Sequence, residues 1–363
     1  MSVKVIILRN MTNLNDIEQI KKLDKANLLG SIELLGKQCE QAWREIKKVK
    51  MPKSYHQVQN IVVSGMGGSA LGAHIIQALY ANALRVPMEI VRGYSLPNYV
   101  GPKTLLVLSS YSGNTEETLA AAKAGLKRRA KIIGIATGGK LAKFLRKHKF
   151  PAYIFKPKYN PSNQPRMGLG YSVFGQLGLL KQCGVLKVKE NEIQQTIKLM
   201  EKMNRELGIR SQGNFAQKLS QKLKNKIPIL VASEFLVGNA HVFANQINEN
   251  AKCFSSYFEL PELNHHLMEG LKNPAAYRKI FKFVLLNSDL YHPRNQKRYK
   301  ILGEVLRKNH VDFVEFRLKA KTKLMQSLGT LLFGSYVNFY LAMLYNLNPA
   351  PVPWVDFFKK RLK

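Results

Sequence analysis

The chain has 363 residues, 45% of them hydrophobic, which excludes an intrinsically disordered protein and leaves room for two α/β domains with real cores. Its 57 Lys and Arg outnumber 23 Asp and Glu, giving a formal net charge of +34. The basic residues are dispersed, with mild concentrations at 123–149, 181–226 and 278–308 and no basic tail, so the charge supports at most non-specific affinity for nucleic acid and some attraction for phosphorylated substrates. Cys39, Cys183 and Cys253 are widely spaced and form no CxxC, which argues for a reducing cytoplasm and against a zinc site. No apolar run is expected to approach the roughly 20 residues that span a bilayer, and the opening MSVKVIILRN is too short for a signal peptide.

In chain order, apolar spacing makes 15–48 helical, with a break between Asn27 and Ser31. Short β-branched runs then predict strands at 60–64, 88–91, 105–108, 131–136 and 152–155, with helices between most of them. Alternating strands and helices imply a parallel sheet covered on both faces. A Pro-rich stretch, KPKYNPSNQPR at 156–166, marks a crossing to a second domain. Beyond it come an apolar helix at 170–184, a lysine-rich helical hairpin at 191–226, strands at 227–232, 281–286 and 312–316, and a C-terminal helix. The expected division is 1–50, an N-terminal helical segment; 51–157, a first α/β domain; and 158–363, a second α/β domain with the C-terminal helix.

Two turns carry the chemistry of the first domain. Gly65–Ala73 (GMGGSALGA) follows a strand and opens a helix, so Gly67, Gly68 and Ser69 bring backbone N–H groups and a positive helix end to one point. It lacks the Lys of a P-loop and the spacing of a dinucleotide fingerprint. Ser109–Thr118 (SSYSGNTEET) repeats the plan with hydroxyls, of which Ser110, Ser112 and Thr115 are candidate phosphate ligands. The bland alternative is that Asn114 caps the helix with Glu117 completing a capping box. A third run, Asn248–His265 (NENAKCFSSYFELPELNH), holds a carboxylate and a histidine sixteen positions apart, on and beyond a helix expected at 238–252.

The pair GMGGSALG and SYSGNTEET resembles the sugar-isomerase (SIS) domain, and NENAK with ELPELNH resembles the bifunctional phosphoglucose/phosphomannose isomerase family within it. The resemblance runs from about Asn15 to the C-terminal PVPWVDFFKKRL. It implies an α/β fold of two SIS-type doubly wound parallel-sheet domains. It implies a metal-free, cofactor-free aldose–ketose isomerase acting on glucose 6-phosphate and fructose 6-phosphate, with mannose 6-phosphate left open. Glu249 would move the proton between C2 and C1, His265 would open the sugar ring, and Arg166 would stabilise the enediolate. Lys359 would assist ring handling. The family further implies a homodimer with its active site at the subunit interface and a ring-opening His from the neighbouring subunit; with no spanning apolar run expected, no membrane partner is expected either.

Three departures stand out. His266 follows His265 where relatives have Asn, Ser335 stands in G-S-Y-V where many have Asp, and Ala350 stands in N-P-A-P-V where many have Thr. A hydroxyl at that last position goes with accepting both C2 epimers, so Ala350 makes glucose 6-phosphate the expected substrate. The readings competing with this enzyme are a non-catalytic SIS-fold sugar-phosphate sensor and another SIS phosphosugar isomerase. A sensor needs the two turns but neither Glu249 nor His265.

Overall fold

Strand content is set by two runs of β-branched and leucine-rich segments, each sandwiched between helices, and these become two separate parallel sheets. The computed structural model describes residues 13–362. The opening segment read above for a signal peptide, and the start of the 1–50 segment, lie outside the described residues.

The described residues open with three short helices, Ile17–Leu23 (α1), Leu28–Glu33 (α2) and Leu35–Ile46 (α3). The expected break falls at Asn27, whose φ of 55° is left-handed and whose side chain caps Gly30 N–H. There follow Asn60–Ser64 (β1), Gly68–Leu79 (α4), Met88–Val91 (β2), Thr104–Ser109 (β3), Glu116–Lys127 (α5), Lys131–Ala136 (β4), Gly139–Lys147 (α6) and Ala152–Ile154 (β5). Leu169–Gln182 (α7), Glu190–Leu207 (α8) and Phe215–Leu223 (α9) lead to Ile227–Ser233 (β6), Val237–Gln246 (α10) and Ser256–Leu260 (β7). The chain closes with Phe281–Asn287 (β8), Pro293–Lys308 (α11), Asp312–Arg317 (β9), Lys323–Leu344 (α12) and Pro353–Arg361 (α13).

The sheets run β2-β1-β3-β4-β5 and β7-β6-β8-β9, every pairing parallel. In each, the first strand is an inner one, the second turns back to the edge beside it, and the third joins on its other side. The two units therefore repeat one topology, β6 answering β1 and α10 answering α4. This is the two-unit parallel α/β architecture expected from the sequence. Strand β7 was not expected: its residues are only half-buried at an edge, so SYFEL lacks the apolar run that marks the inner strands.

The answering helices α4 and α10 pack directly on one another. Gly238 makes this possible, because a Cβ there would stand 2.3 Å from the His74 carbonyl oxygen. Helix α7 packs against the first unit, Gly170 on Gln38 and Cys39 of α3 and Gly175 on Ile135 and Tyr153. One core runs through both sheets by way of α4, α7, α10 and α12, and a smaller one lies under α5 and α6. All three cysteines are buried and unpaired.

Helix α12 corrects one expectation. Its 22 residues are long and apolar enough to cross a membrane by length and composition, where no run of that length was anticipated. The apolar window is wholly buried inside the protein, as a core helix that packs on all sides.

Gly238→Ala tests the helix pair. Alanine gains up to about 1 kcal/mol of helix propensity, but a backbone clash of this depth costs about 1–3 kcal/mol in a packed interior. Urea unfolding is expected to show a net loss of stability; a stabilised variant would show that α4 and α10 are not held at this distance.

Candidate active site

The two glycine- and hydroxyl-rich turns lie side by side. Gly67 has φ 49° and a position where an added Cβ meets nothing within 4 Å, so its backbone is open to a ligand. Ser69 Oγ accepts from Tyr111 N–H at 2.8 Å, and Ser109 Oγ donates to the Ser69 carbonyl at 2.7 Å, which ties the first turn to the second. Ser110 and Thr115 hydroxyls pair at 2.8 Å. Asn114 is not a helix cap: the cap position of α5 is Thr115, and Asn114 Oδ1 instead accepts from Lys140 N–H. Gly113, at φ 70°, is closed in by the next βα turn, where a Cβ would fall 1.9 Å from Gly138 O. The hydroxyls of Ser110, Ser112 and Thr115 thus belong to one rigid turn.

Arg166 connects this region to the second unit. Only 2% of its side chain is exposed, so it is not a solvent-facing linker residue. Gly68 admits it: a Cβ on Gly68 would lie 2.7 Å from Arg166 N. The guanidinium donates from Nε to Asn250 Oδ1 (2.6 Å), from Nη1 to Gln164 Oε1 (2.9 Å), and from Nη2 to the Pro349 and Ala350 carbonyls (3.0 and 2.7 Å). Its Nη1 also stands 3.6 Å from Glu249 Oε2. Burial lowers the Arg166 pKa, and Glu249 and Asp356 act the other way.

Glu249 does not sit on a regular helix, as its sequence context suggests. Helix α10 ends at Gln246, and Ile247–Ala251 forms a wide π-type turn. Such a turn reorients side chains at the end of a helix and is common at functional sites. Lys252 closes it in the left-handed region at φ 50°. Asn248 stitches the turn to the approach of β7, donating to Ala244 O and Ser255 O and accepting from Ser255 N–H. The Glu249 side chain remains 31% exposed, and desolvation raises its carboxyl pKa while Arg166, Lys252 and Lys359 pull it down.

Lys252, the last residue of NENAK, has a part that the sequence does not signal. Its Nζ donates to Glu249 O and Pro349 O at 2.9 Å each and to Asn250 O and Asn348 O at 3.3 Å each. Burial, and then the Arg166 charge, lower its pKa to about 8. Lys252 and Arg166 therefore grip the same 348–350 strap. Behind them a buried amide network joins α10 to α12: Asn250 Nδ2 donates to Asn338 Oδ1 (2.7 Å), Asn338 Nδ2 to Gln246 Oε1 (3.1 Å), and Gln246 Nε2 to Arg166 O (3.1 Å). Ser335, one of the noted departures, donates to Gln246 Oε1 at 3.2 Å. Sequence alone could not single out these amides, because their function is mutual and their spacing along the chain is large.

The structure thus brings Glu249, Arg166 and the Gly68 turn together. Lys359, on exposed α13, reaches them through its charge on Glu249. His265 is not brought in: it ends an exposed 3₁₀ turn, Glu262–His265, and its side chain makes no hydrogen bond or ion pair within the described residues.

This arrangement has recognisable relatives. The sequence model of the bacterial phospho-glucose isomerase C-terminal SIS domain matches residues 212–362. A bifunctional phosphoglucose/phosphomannose isomerase of Caldicellulosiruptor bescii is 32% identical over 92% of this chain and 98% of its own. One of Aquifex aeolicus, with the same description, is 28% identical over 88% of this chain and 94% of its own. A solved structure of a hypothetical protein from Thermus thermophilus shares the fold at TM-score 0.71 and 17% identity, covering 95% of this chain and 94% of that one.

Lys252→Met separates positioning from mere support. It removes a cation that lowers the Glu249 pKa, so the acidic limb of the pH–turnover profile is expected to move to higher pH. Loss of charge-assisted bonds should also lower kcat roughly tenfold. Lys252→Arg should partly restore the limb; an unmoved limb would show that Lys252 does not act on Glu249.

Proposed function

The chain belongs to the bifunctional phosphoglucose/phosphomannose isomerase family, and from that premise we propose that it interconverts glucose 6-phosphate and fructose 6-phosphate through an enediol. The observation that carries this reading is the Glu249 carboxylate held 3.6 Å from the buried Arg166 guanidinium, on a turn beside the phosphate cradle.

The geometry fits the chemistry step by step. The substrate phosphate takes the Gly67–Ser69 and Ser110–Thr115 turns, whose N–H groups and hydroxyls match a dianion. Glu249, as carboxylate, removes the C2 proton. The C2–H electron pair forms the C1–C2 double bond, and the aldehyde oxygen gains negative charge. Arg166, already oriented by four hydrogen-bond acceptors and the Glu249 ion pair, stabilises that charge without reorganising. The O2 hydroxyl proton passes to O1, so the negative charge moves to O2, and as Glu249 returns its proton to C1 the C2–O2 bond becomes the ketone carbonyl. Desolvation of Glu249 raises its basicity, which a carboxylate needs to abstract a carbon-bound proton.

Opening the sugar ring needs a second acid–base group, and His265 takes that role from a neighbouring copy in a homodimer. Its exposure, on a turn apart from Glu249 in the same chain, supports this assignment. Ala350 is buried with its carbonyl on Arg166, and it offers no hydroxyl beside the site. Glucose 6-phosphate is therefore the preferred aldose over its C2 epimer.

A coupled assay with fructose 6-phosphate in EDTA is expected to show turnover, and Glu249→Gln is expected to reduce kcat about 10²–10⁴-fold while sugar-phosphate binding persists. Binding without turnover in the unaltered protein would make it a sensor. Mixing Glu249→Gln with His265→Ala should restore roughly a quarter of the activity, because half of randomly mixed dimers hold one intact site. No recovery would place His265 in its own subunit's site or outside catalysis. Ala350→Ser is expected to raise mannose 6-phosphate turnover relative to glucose 6-phosphate, and an unchanged ratio would remove residue 350 from epimer selection.

A further inference from the structure

Away from the catalytic site, a cleft of about 770 Å³ opens between the edge strands of the two sheets. It lies where α4 meets α10, so its walls come from both units. Its polar groups include Arg92 after β2, His74 on α4, His241 on α10 and Tyr257 on β7.

These four side chains form one cluster, in which the His241 and Tyr257 rings stack and the His74 ring is tilted 59° to that of His241. The rings of His74 and His241 have centroids 4.3 Å apart, and His241 stacks on Tyr257 at 4.9 Å with an interplanar angle of 12°. Arg92 Nη2 lies 3.0 Å from His74 Nε2. A guanidinium only donates, so His74 Nε2 accepts and its proton sits on Nδ1. His241 Nδ1 is buried and has no hydrogen-bond partner. A buried polar atom without a partner costs free energy. Arg92 forms no ion pair among the described residues, although carboxylates are present in the walls.

One further cation and three carboxylates face this group. The cation is Lys323, at the start of α12. Glu192 of α8, Glu234 before α10 and Glu259 of β7 are the acids. Glu234 is engaged by His292 N–H and Asn295 at 2.8 Å each. Burial holds both imidazoles neutral: the His74 pKa is lowered to about 3 by desolvation, then by His241 and Arg92, and that of His241 to about 4 by desolvation, then by Arg92. The cluster thus presents a guanidinium without a carboxylate partner and an unsatisfied ring nitrogen.

We propose that this inter-unit cleft is a second ligand site, binding a small oxyanion, phosphate or carboxylate, between Arg92 and His241. Guanidinium and imidazole N–H donors together match the fork of such an anion. The bound anion lies against Arg92 beside the His74–His241 pair and favours protonation of that pair, since an opposite charge nearby raises an imidazole pKa. Because Arg92 and His74 belong to one unit and His241 and Tyr257 to the other, binding also ties the two units together, independently of the catalytic reading.

The test uses full-length protein with isotope-labelled histidine, titrated at pH 6 with inorganic phosphate and, separately, with malonate. The resonances of His74 and His241, assigned through His74→Gln and His241→Gln, are expected to shift saturably and to titrate at higher pH in the presence of the anion. Arg92→Ala should weaken this response by roughly tenfold or more while fructose 6-phosphate turnover stays unchanged. Response to phosphate alone or to malonate alone identifies which oxyanion the site takes. No saturable shift with either anion, or a shift unaffected by Arg92→Ala, overturns the proposal. Ser112→Ala with Thr115→Ala serves as the control: it weakens phosphate at the catalytic cradle and should leave the two histidine responses intact.

Discussion

Everything at the candidate active site depends on one buried cation. An arginine taken out of water without partners costs many kcal/mol, yet Arg166 is 2% exposed because every nitrogen of its guanidinium meets an acceptor. Those acceptors come from three separate places: the linker, the π-type turn that carries Asn250 and Glu249, and the strap at 349–350. A planar fork with fixed donor directions can join such points only in one arrangement. The site geometry is therefore the geometry that satisfies Arg166.

This constraint explains the irregular elements nearby. Extending α10 as a regular helix would rotate Asn250 and Glu249 away from the guanidinium, and the π-type turn prevents that. Lys252 accepts a left-handed backbone to close the turn, and its ammonium group recovers the cost through four carbonyl contacts. The strap at 348–350 is gripped twice, by Lys252 and by Arg166. It leads directly into α13, which carries Lys359 to within electrostatic range of Glu249. Arg166, Lys252 and Lys359 pull the Glu249 pKa down, but burial outweighs them and the carboxyl ends above its usual range.

The repeated topology gives the two units unequal work. In the first, the turns after β1 and β3 make the proposed anion cradle. In the second, the answering helix α10 leads at its far end into the turn that carries Glu249, the proposed base. Packing α4 against α10 in opposite senses places the beginning of one beside the end of the other. That is why Gly68 and Glu249, one in each unit and far apart in the chain, share a site. The same packing leaves the cleft with Arg92, His74, His241 and Tyr257 at the other end of the helix pair.

The sequence by itself determined the alternation of strands and helices, the two cradle turns, and the identity of Glu249 and Arg166 as candidates. These are local signals: β-branched runs, glycine beside a strand end, and motifs whose members are close in the chain. It missed β7, because a half-exposed edge strand has no continuous apolar run, and it underestimated α12, whose small and polar residues interrupt a helix that is buried on every face. It also drew 238–252 as one regular helix, since nothing in NENAK signals a π-type turn. Only the tertiary structure decided that Lys252, Asn250, Gln246 and Asn338 support the site, and that His265 stands apart from Glu249 in its own chain. Hydrogen bonds between distant segments leave no periodic trace in a sequence, because they depend on where packing brings each side chain.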